Sequence, residues 1–210
     1  VPSRGLGDVY KRQCQLDSGT RRADNDNGIL ASGKNYTDME HKWDEAFGYL
    51  YGQEADATRA DLGNSPTGNG TTLNKYFKKI NDSNEPGLAS TVFDAFKLGR
   101  AAIVAGNYDV RDAQASIIKI NLSKVVGYKA IDYLESYMSK KAATPADAIH
   151  ALSEGYGFIL SLMFTNDGTG SPYFSEAEVN SMLSKLSNFW TVQDSDLTQM
   201  ANDIRGRFNF

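Results

Sequence analysis

An all-α fold, a helical bundle of six or seven helices, is predicted for this 210-residue chain by three observations. Apolar residues recur at three- and four-residue spacings over most of its length, helix-start signals stand at the head of several such runs, and alternating strand patterns are essentially absent. With 40% hydrophobic and 23% charged residues, the chain has the composition of one globular domain with a sizeable core.

Residues 1–13 stand apart. The run Ser3-Arg4-Gly5-Leu6-Gly7-Asp8-Val9-Tyr10-Lys11-Arg12-Gln13 looks like the in-frame translation of a transposase-type sequencing-library adapter and is set aside as an artefact. Residues 14–210 are then expected to be the C-terminal part of a single all-α domain truncated at its N-terminus, so missing targeting signals carry no meaning. Cys14 follows Lys11-Arg12-Gln13 rather than an apolar stretch, and one cysteine forms neither an intrachain disulfide nor a zinc-type pair.

Residues 14–35 are polar and turn-rich and read as a solvated loop. Taken as a calcium loop with Gly28 at the sixth position, the Asp24-Asn25-Asp26-Asn27-Gly28 run puts Ala23 and Lys34 where acidic ligands belong. Thr37 with Glu40 three residues later is a capping box opening a helix that runs to Gly52. Residues 53–70, rich in Gly, Asn, Asp and Thr, form a long loop, and a short helix is expected over Leu73 to Ile80. From Pro86 to about Ala105, the residues Ala89, Val92, Phe93, Phe96 and Ile103 keep helical spacing. Arg100, beside that stripe, is expected to snorkel outward unless a buried carboxylate waits for it.

The longest helix is expected from Asp109, as N-cap, to about Lys140, with Ile117, Ile120 or Asn121, Lys124, Tyr128, Ile131 and Leu134 or Glu135 tracing its inner face imperfectly. Thr144-Pro145 opens the next, which is apolar almost all round from Phe158 to Phe164 and is expected to be the most buried, with Asn166-Asp167-Gly168 ending it. A Ser175/Glu178 capping box opens a helix carrying Val179, Met182, Leu183 and Leu186. A final helix from about Asp194 carries Leu197, Met200 and Ile204.

Two of these helices share a pattern. Asp38, His41, Glu45 and Gly48 recur at constant spacing as Asp147, His150, Glu154 and Gly157, and the two histidines are the only ones in the chain. At about 100° per residue, the D-x2-H-x3-E set falls within a stripe about 80° wide. A glycine on that stripe costs about 0.5–1 kcal/mol of helix propensity, which implies a close approach there. If the two helices pack antiparallel with their stripes facing, Asp38, His41 and Glu45 meet Asp147, His150 and Glu154. Imidazole with carboxylates between bundle helices suits iron, manganese or zinc, and the carboxylate excess favours iron or another divalent metal over structural zinc.

The competing reading needs no ligand. Each His bonds its own Glu one turn later, Asp38 and Asp147 serve the first helical turn, and the polar pairs of an old duplication only hold the bundle together. No nucleophile motif, phosphate loop or H-E-x-x-H signature is present, so no catalytic residue is assigned and the balance leans against an enzyme.

Charge bounds the partners. The chain has a net charge of −4, and its first thirteen residues carry Arg4, Lys11 and Arg12 against Asp8, so the remainder is more acidic still. An acidic chain with no basic run argues against nucleic acid and against an anionic membrane surface, and no apolar run is long enough for a transmembrane segment. Nothing in the sequence specifies a protein partner.

Three ordered blocks carry a resemblance: Met39 to Tyr49, Ala95 to Ile103, and His150 to Ile159. Together they resemble the domain-of-unknown-function family 4856. The resemblance implies a secreted lipoprotein of Gram-negative bacteria, placed in the periplasm or outer membrane. A fainter resemblance is to imelysin-like proteins, helical two-halved proteins associated with iron uptake whose pattern is G-x-H-x-x-E. Here the spacing is H-x-x-x-E, and Met39 or Ala148 stands where that pattern has glycine.

Overall fold

The structure is a computed structural model that describes residues 15–52 and 73–210, so the adapter-like segment and the loop expected over 53–70 lie outside the described residues. The regular structure of the described residues is all helical, with no strand among them. Their helices are α1 (Arg21–Asp26), α2 (Asp38–Tyr51), α3 (Asn74–Ser83), α4 (Leu88–Val104), α5 (Tyr108–Lys140), α6 (Pro145–Ser161), a 3-10 turn (Leu162–Phe164), α7 (Glu176–Lys185) and α8 (Asp194–Phe208). The chain divides into two compact units, the sequence boundary falling between Asn121 and Leu122.

Both capping boxes form. The Thr37 hydroxyl accepts the Glu40 N–H while Glu40 Oε2 accepts the Thr37 N–H at 2.7 Å, and Ser175 and Glu178 repeat the arrangement at the start of α7. These caps satisfy orphan N–H groups at the helix starts and stabilise each by about 1 kcal/mol. Thr144 and Pro145 open α6 as expected. The cap of α5, however, is Asn107, whose side-chain oxygen accepts the Val110 N–H at 3.2 Å, two residues before Asp109. Helix α1 forms where a loop was expected. Its Asn25 donates to the Ile103 carbonyl at 2.8 Å, a tertiary bond that overrides a turn-rich local sequence.

In the first unit, α2 lies against α4 through an aromatic cluster. Trp43, Tyr51, Phe93 and Phe96 are buried, with Trp43 and Phe96 edge to face at 5.8 Å and Phe47 and Phe96 at 5.5 Å. Trp43 also donates its indole N–H to the Phe96 carbonyl at 2.8 Å, so the large ring is satisfied as well as packed. Helix α3 is tied to α4 by Asn81, whose side-chain oxygen accepts the N–H groups of Gly87 and Ala89. That bond caps a helix whose own N-cap, Gly87, has a left-handed φ of 93° and no side chain.

In the second unit, Gly155 gives α6 its close approach to the C-terminal half of α5: a Cβ there would stand 3.1 Å from that of Tyr133. Gly127 does the same for the chain's last aromatics, with Phe210 at 3.0 Å and Phe208 at 3.1 Å from a notional Cβ. Tyr128 stacks on Phe210 at 3.6 Å and Tyr173 on Phe208 at 3.9 Å. Among the described helices α4 is more buried than α6, because it buries nine of seventeen residues where α6 buries seven of seventeen and leaves Tyr156, Gly157 and Leu160 partly open. The buried face of α5 matches the expected one at Ile131 and Leu134 and is displaced from it earlier in the helix. There Ala115, Ile118, Leu122, Val125 and Lys129 are buried, whereas Ile117, Ile120, Asn121, Lys124 and Tyr128 are partly exposed.

Candidate functional site

The first motif helix places its residues on two faces. Met39, Trp43, Ala46 and Leu50 point inward and are buried, while Asp38 and Gly48 are exposed and His41 and Glu45 are partly so. No close approach explains Gly48, since a Cβ there would meet nothing within 4 Å. Gly99, Gly127 and Gly155 do hold neighbours close, and Gly155 lies in a motif helix, off its polar stripe.

His41 and Glu45 come together as the helical spacing requires. Nε2 of His41 is 3.2 Å from Oε1 of Glu45, and the other Glu45 oxygen takes Lys42 Nζ at 3.0 Å. Tyr36, just before the cap, lies parallel to the imidazole at a ring-centre distance of 5.1 Å. Sequence reasoning missed both Lys42 and Tyr36, although the i,i+3 spacing of Lys42 and Glu45 was there to be read. Asp38 sits in the exposed first turn, where the helix dipole favours a carboxylate.

In the second unit, Asp147 also lies in the first turn of its helix, α6, two residues after the opening Pro145, and is exposed. His150 is exposed too; its carbonyl accepts the Ser153 hydroxyl at 2.7 Å, and Glu154 is half-buried one turn on. Among the described residues, no group of three or more His, Cys, Asp or Glu side chains is arranged to hold a metal ion.

The strongest polar constellation around the motif centres instead on Arg100 of α4. Its Nη1 donates to Glu40 Oε1 at 2.8 Å and its Nε to Asp44 Oδ1 at 3.0 Å, so the expected outward snorkelling gives way to a chelate between two motif-helix carboxylates. Arg100 and Glu40 are largely screened from solvent, whereas half of the Asp44 side chain reaches it. Burial pushes the Asp44 carboxyl above its ordinary range, and Arg100 opposes that push without cancelling it.

A second constellation lies at the head of α5. Arg111 is fully buried and donates from Nη1 and Nη2 to the two Asp17 oxygens at 2.9 and 2.8 Å, with Asp112 accepting from Nε at 2.9 Å. Its guanidinium also lies over the Tyr108 ring, 4.9 Å from the centre. Burial disfavours the charge, but the bonds to Asp17 and Asp112 outweigh it and hold Arg111 above the usual arginine value. Tyr108 in turn donates to Asp26, and burial followed by that carboxylate raises its hydroxyl pKa. Charged groups therefore brace the interior of this unit.

An all-helical architecture with two acid- and imidazole-bearing helices defines the class. The chain belongs to the family described as Domain of unknown function (DUF4856), whose model matches residues 7–210, essentially the whole chain. No curated protein and no solved structure matches it, so the likeness to imelysin-like proteins has no support from these comparisons. Among the described residues, no helix is long and apolar enough to cross a membrane.

Proposed function

We propose that the domain is a non-catalytic helical module in which the motif's polar residues join helices instead of carrying chemistry. The observation that supports this best is the double use of Glu40, which caps α2 through one oxygen and receives Arg100 of α4 through the other. The His41 and Glu45 pair supports the non-catalytic part of this reading, as an i,i+4 contact within its own helix that needs no ligand. The resemblance to family 4856 favours an extracytoplasmic lipoprotein setting for such a module, and an uptake-associated role rests on the fainter likeness to imelysin-like proteins alone.

A metal such as iron held by Asp38, His41, Glu45, Asp147, His150 and Glu154 is the competing reading. Elemental analysis of protein purified without chelator, alongside a His41→Ala/His150→Ala double variant, separates the two. The structural role predicts no stoichiometric iron, manganese or zinc in either sample and a Tm indifferent to chelator. One equivalent of metal lost in the double variant would overturn it.

A further inference from the structure

We infer that Trp190 and the cleft beside it form a binding platform for a neutral, polyhydroxylated ring, a saccharide unit. Trp190 is the most exposed large hydrophobic residue among those described, at 74%, whereas the other tryptophan, Trp43, is 1% exposed. Leaving an indole in water forgoes one of the largest burial gains available to any side chain. Several bonds nonetheless hold it in place. The Trp190 N–H donates to Asn188 Oδ1 at 3.0 Å, the Phe189 carbonyl accepts the Tyr137 hydroxyl at 2.8 Å, and Gln193 donates to the Thr191 carbonyl at 2.8 Å. The ring is therefore presented on a braced turn.

Beside it opens a cleft of about 400 Å³, lined by Tyr137, Pro145, Ile149 and Val192 with Lys141 as its one charged residue. That size and that lining, mostly apolar with few polar groups, are those of a small-ligand site. Lys141 is paired with Asp194 at 2.5 Å, and each side chain is about half exposed. The rim thus offers a donor and an acceptor side by side with no net charge, which suits adjacent hydroxyls better than an anion or a cation. An apolar protein partner fits less well. The other large exposed hydrophobic residues, Phe164 among them, do not line this cleft, so the indole lacks the surrounding apolar area of a protein hot spot. A larger cleft of about 630 Å³ between α7 and α8 presents no comparable platform, because Phe174 there is buried beneath Arg207.

This inference concerns residues outside the motif and does not depend on its structural role. The test is calorimetric titration of the intact protein with neutral gluco-, manno-, galacto- and xylo-oligosaccharides up to about 10 mM, a range that detects millimolar affinity. Binding by at least one of them is expected, accompanied by quenching of the exposed tryptophan's fluorescence. Trp190→Ala, a truncation at an exposed position, should weaken that binding by about tenfold or more, Lys141→Ala should weaken it less, and Phe164→Ala should leave it unchanged. Binding to none of the four series, or binding that survives Trp190→Ala, overturns the assignment. So does Trp190-dependent self-association, or Trp190-dependent partition onto phosphatidylethanolamine/phosphatidylglycerol vesicles, in place of saccharide binding.

Discussion

The six-membered ring of Trp43 fills the space where Gly99 has no side chain: a Cβ at position 99 would fall 2.1 Å from Cζ2 of the indole. The two helices of the motif unit meet at this point, and the same ring is bonded to the Phe96 carbonyl and cannot easily turn aside.

Gly99→Ala should therefore destabilise the protein even though alanine is the better helix former. The propensity gain is about 1 kcal/mol, and overpacking against a fixed ring costs about 1–3 kcal/mol or more. Urea denaturation of Gly99→Ala, Trp43→Leu and the double variant should give a strongly non-additive cycle, with the smaller side chain at 43 relieving most of the alanine's cost. Additive effects would show that the ring does not set the helix separation.

The two carboxylates that hold Arg100 should not be equivalent. Glu40→Ala removes half a capping box and a screened ion pair together, a loss of about 1–2 kcal/mol. Asp44 is half open to solvent and its carboxyl is already pushed up by burial, so Asp44→Ala should stay within about 0.5 kcal/mol of the wild type. Thermal unfolding of the two variants checks the order.

Arg111 invites the opposite comparison, between removing a buried cation and orphaning it. Asp17 and Asp112 are each about half exposed or more and can be hydrated on their own, so Arg111→Met should cost little. The Asp17→Ala/Asp112→Ala double variant leaves the buried guanidinium without its carboxylates and should cost about 3–5 kcal/mol. Chemical denaturation at neutral pH distinguishes them, and equal costs would contradict the account.

Glu178 gives a pH signature. Bonds from the Ser175 hydroxyl and backbone N–H, with Arg207 beyond them, lower its pKa from 4.5 to about 2. A carboxyl depressed on folding contributes stability above its unfolded pKa and loses it as the pH falls through the folded one. The Tm should therefore decline between pH 4.5 and about 2, and Glu178→Gln should flatten that part of the profile while lowering the Tm at neutral pH.

The sequence reveals most where chemistry is local. The Thr37/Glu40 and Ser175/Glu178 boxes, the proline start of α6 and the apolar stripes of α4, α7 and α8 all depend on neighbours three or four residues away, and all form. Arg111 was not legible because its partner Asp17 lies far off in sequence, and a charged residue on the inner face displaces the apolar stripe that would have marked it. Arg100 was half legible: its place beside the buried stripe was visible, but the carboxylates awaiting it on another helix were not. At the candidate site, spacing foretold the contact between His41 and Glu45, whereas the stacking of Tyr36 depends on how the chain enters α2.

Because the oxygens of Glu40 are shared between the start of its own helix and a guanidinium on another, fraying and undocking become a single cooperative event. Loosening the first turn of α2 gives up one of the bonds that hold α4, and undocking α4 gives up a bond of the residue that caps that turn. Amide protons on both segments should then exchange with deuterium through one common opening, at a shared rate that Glu40→Gln splits into two.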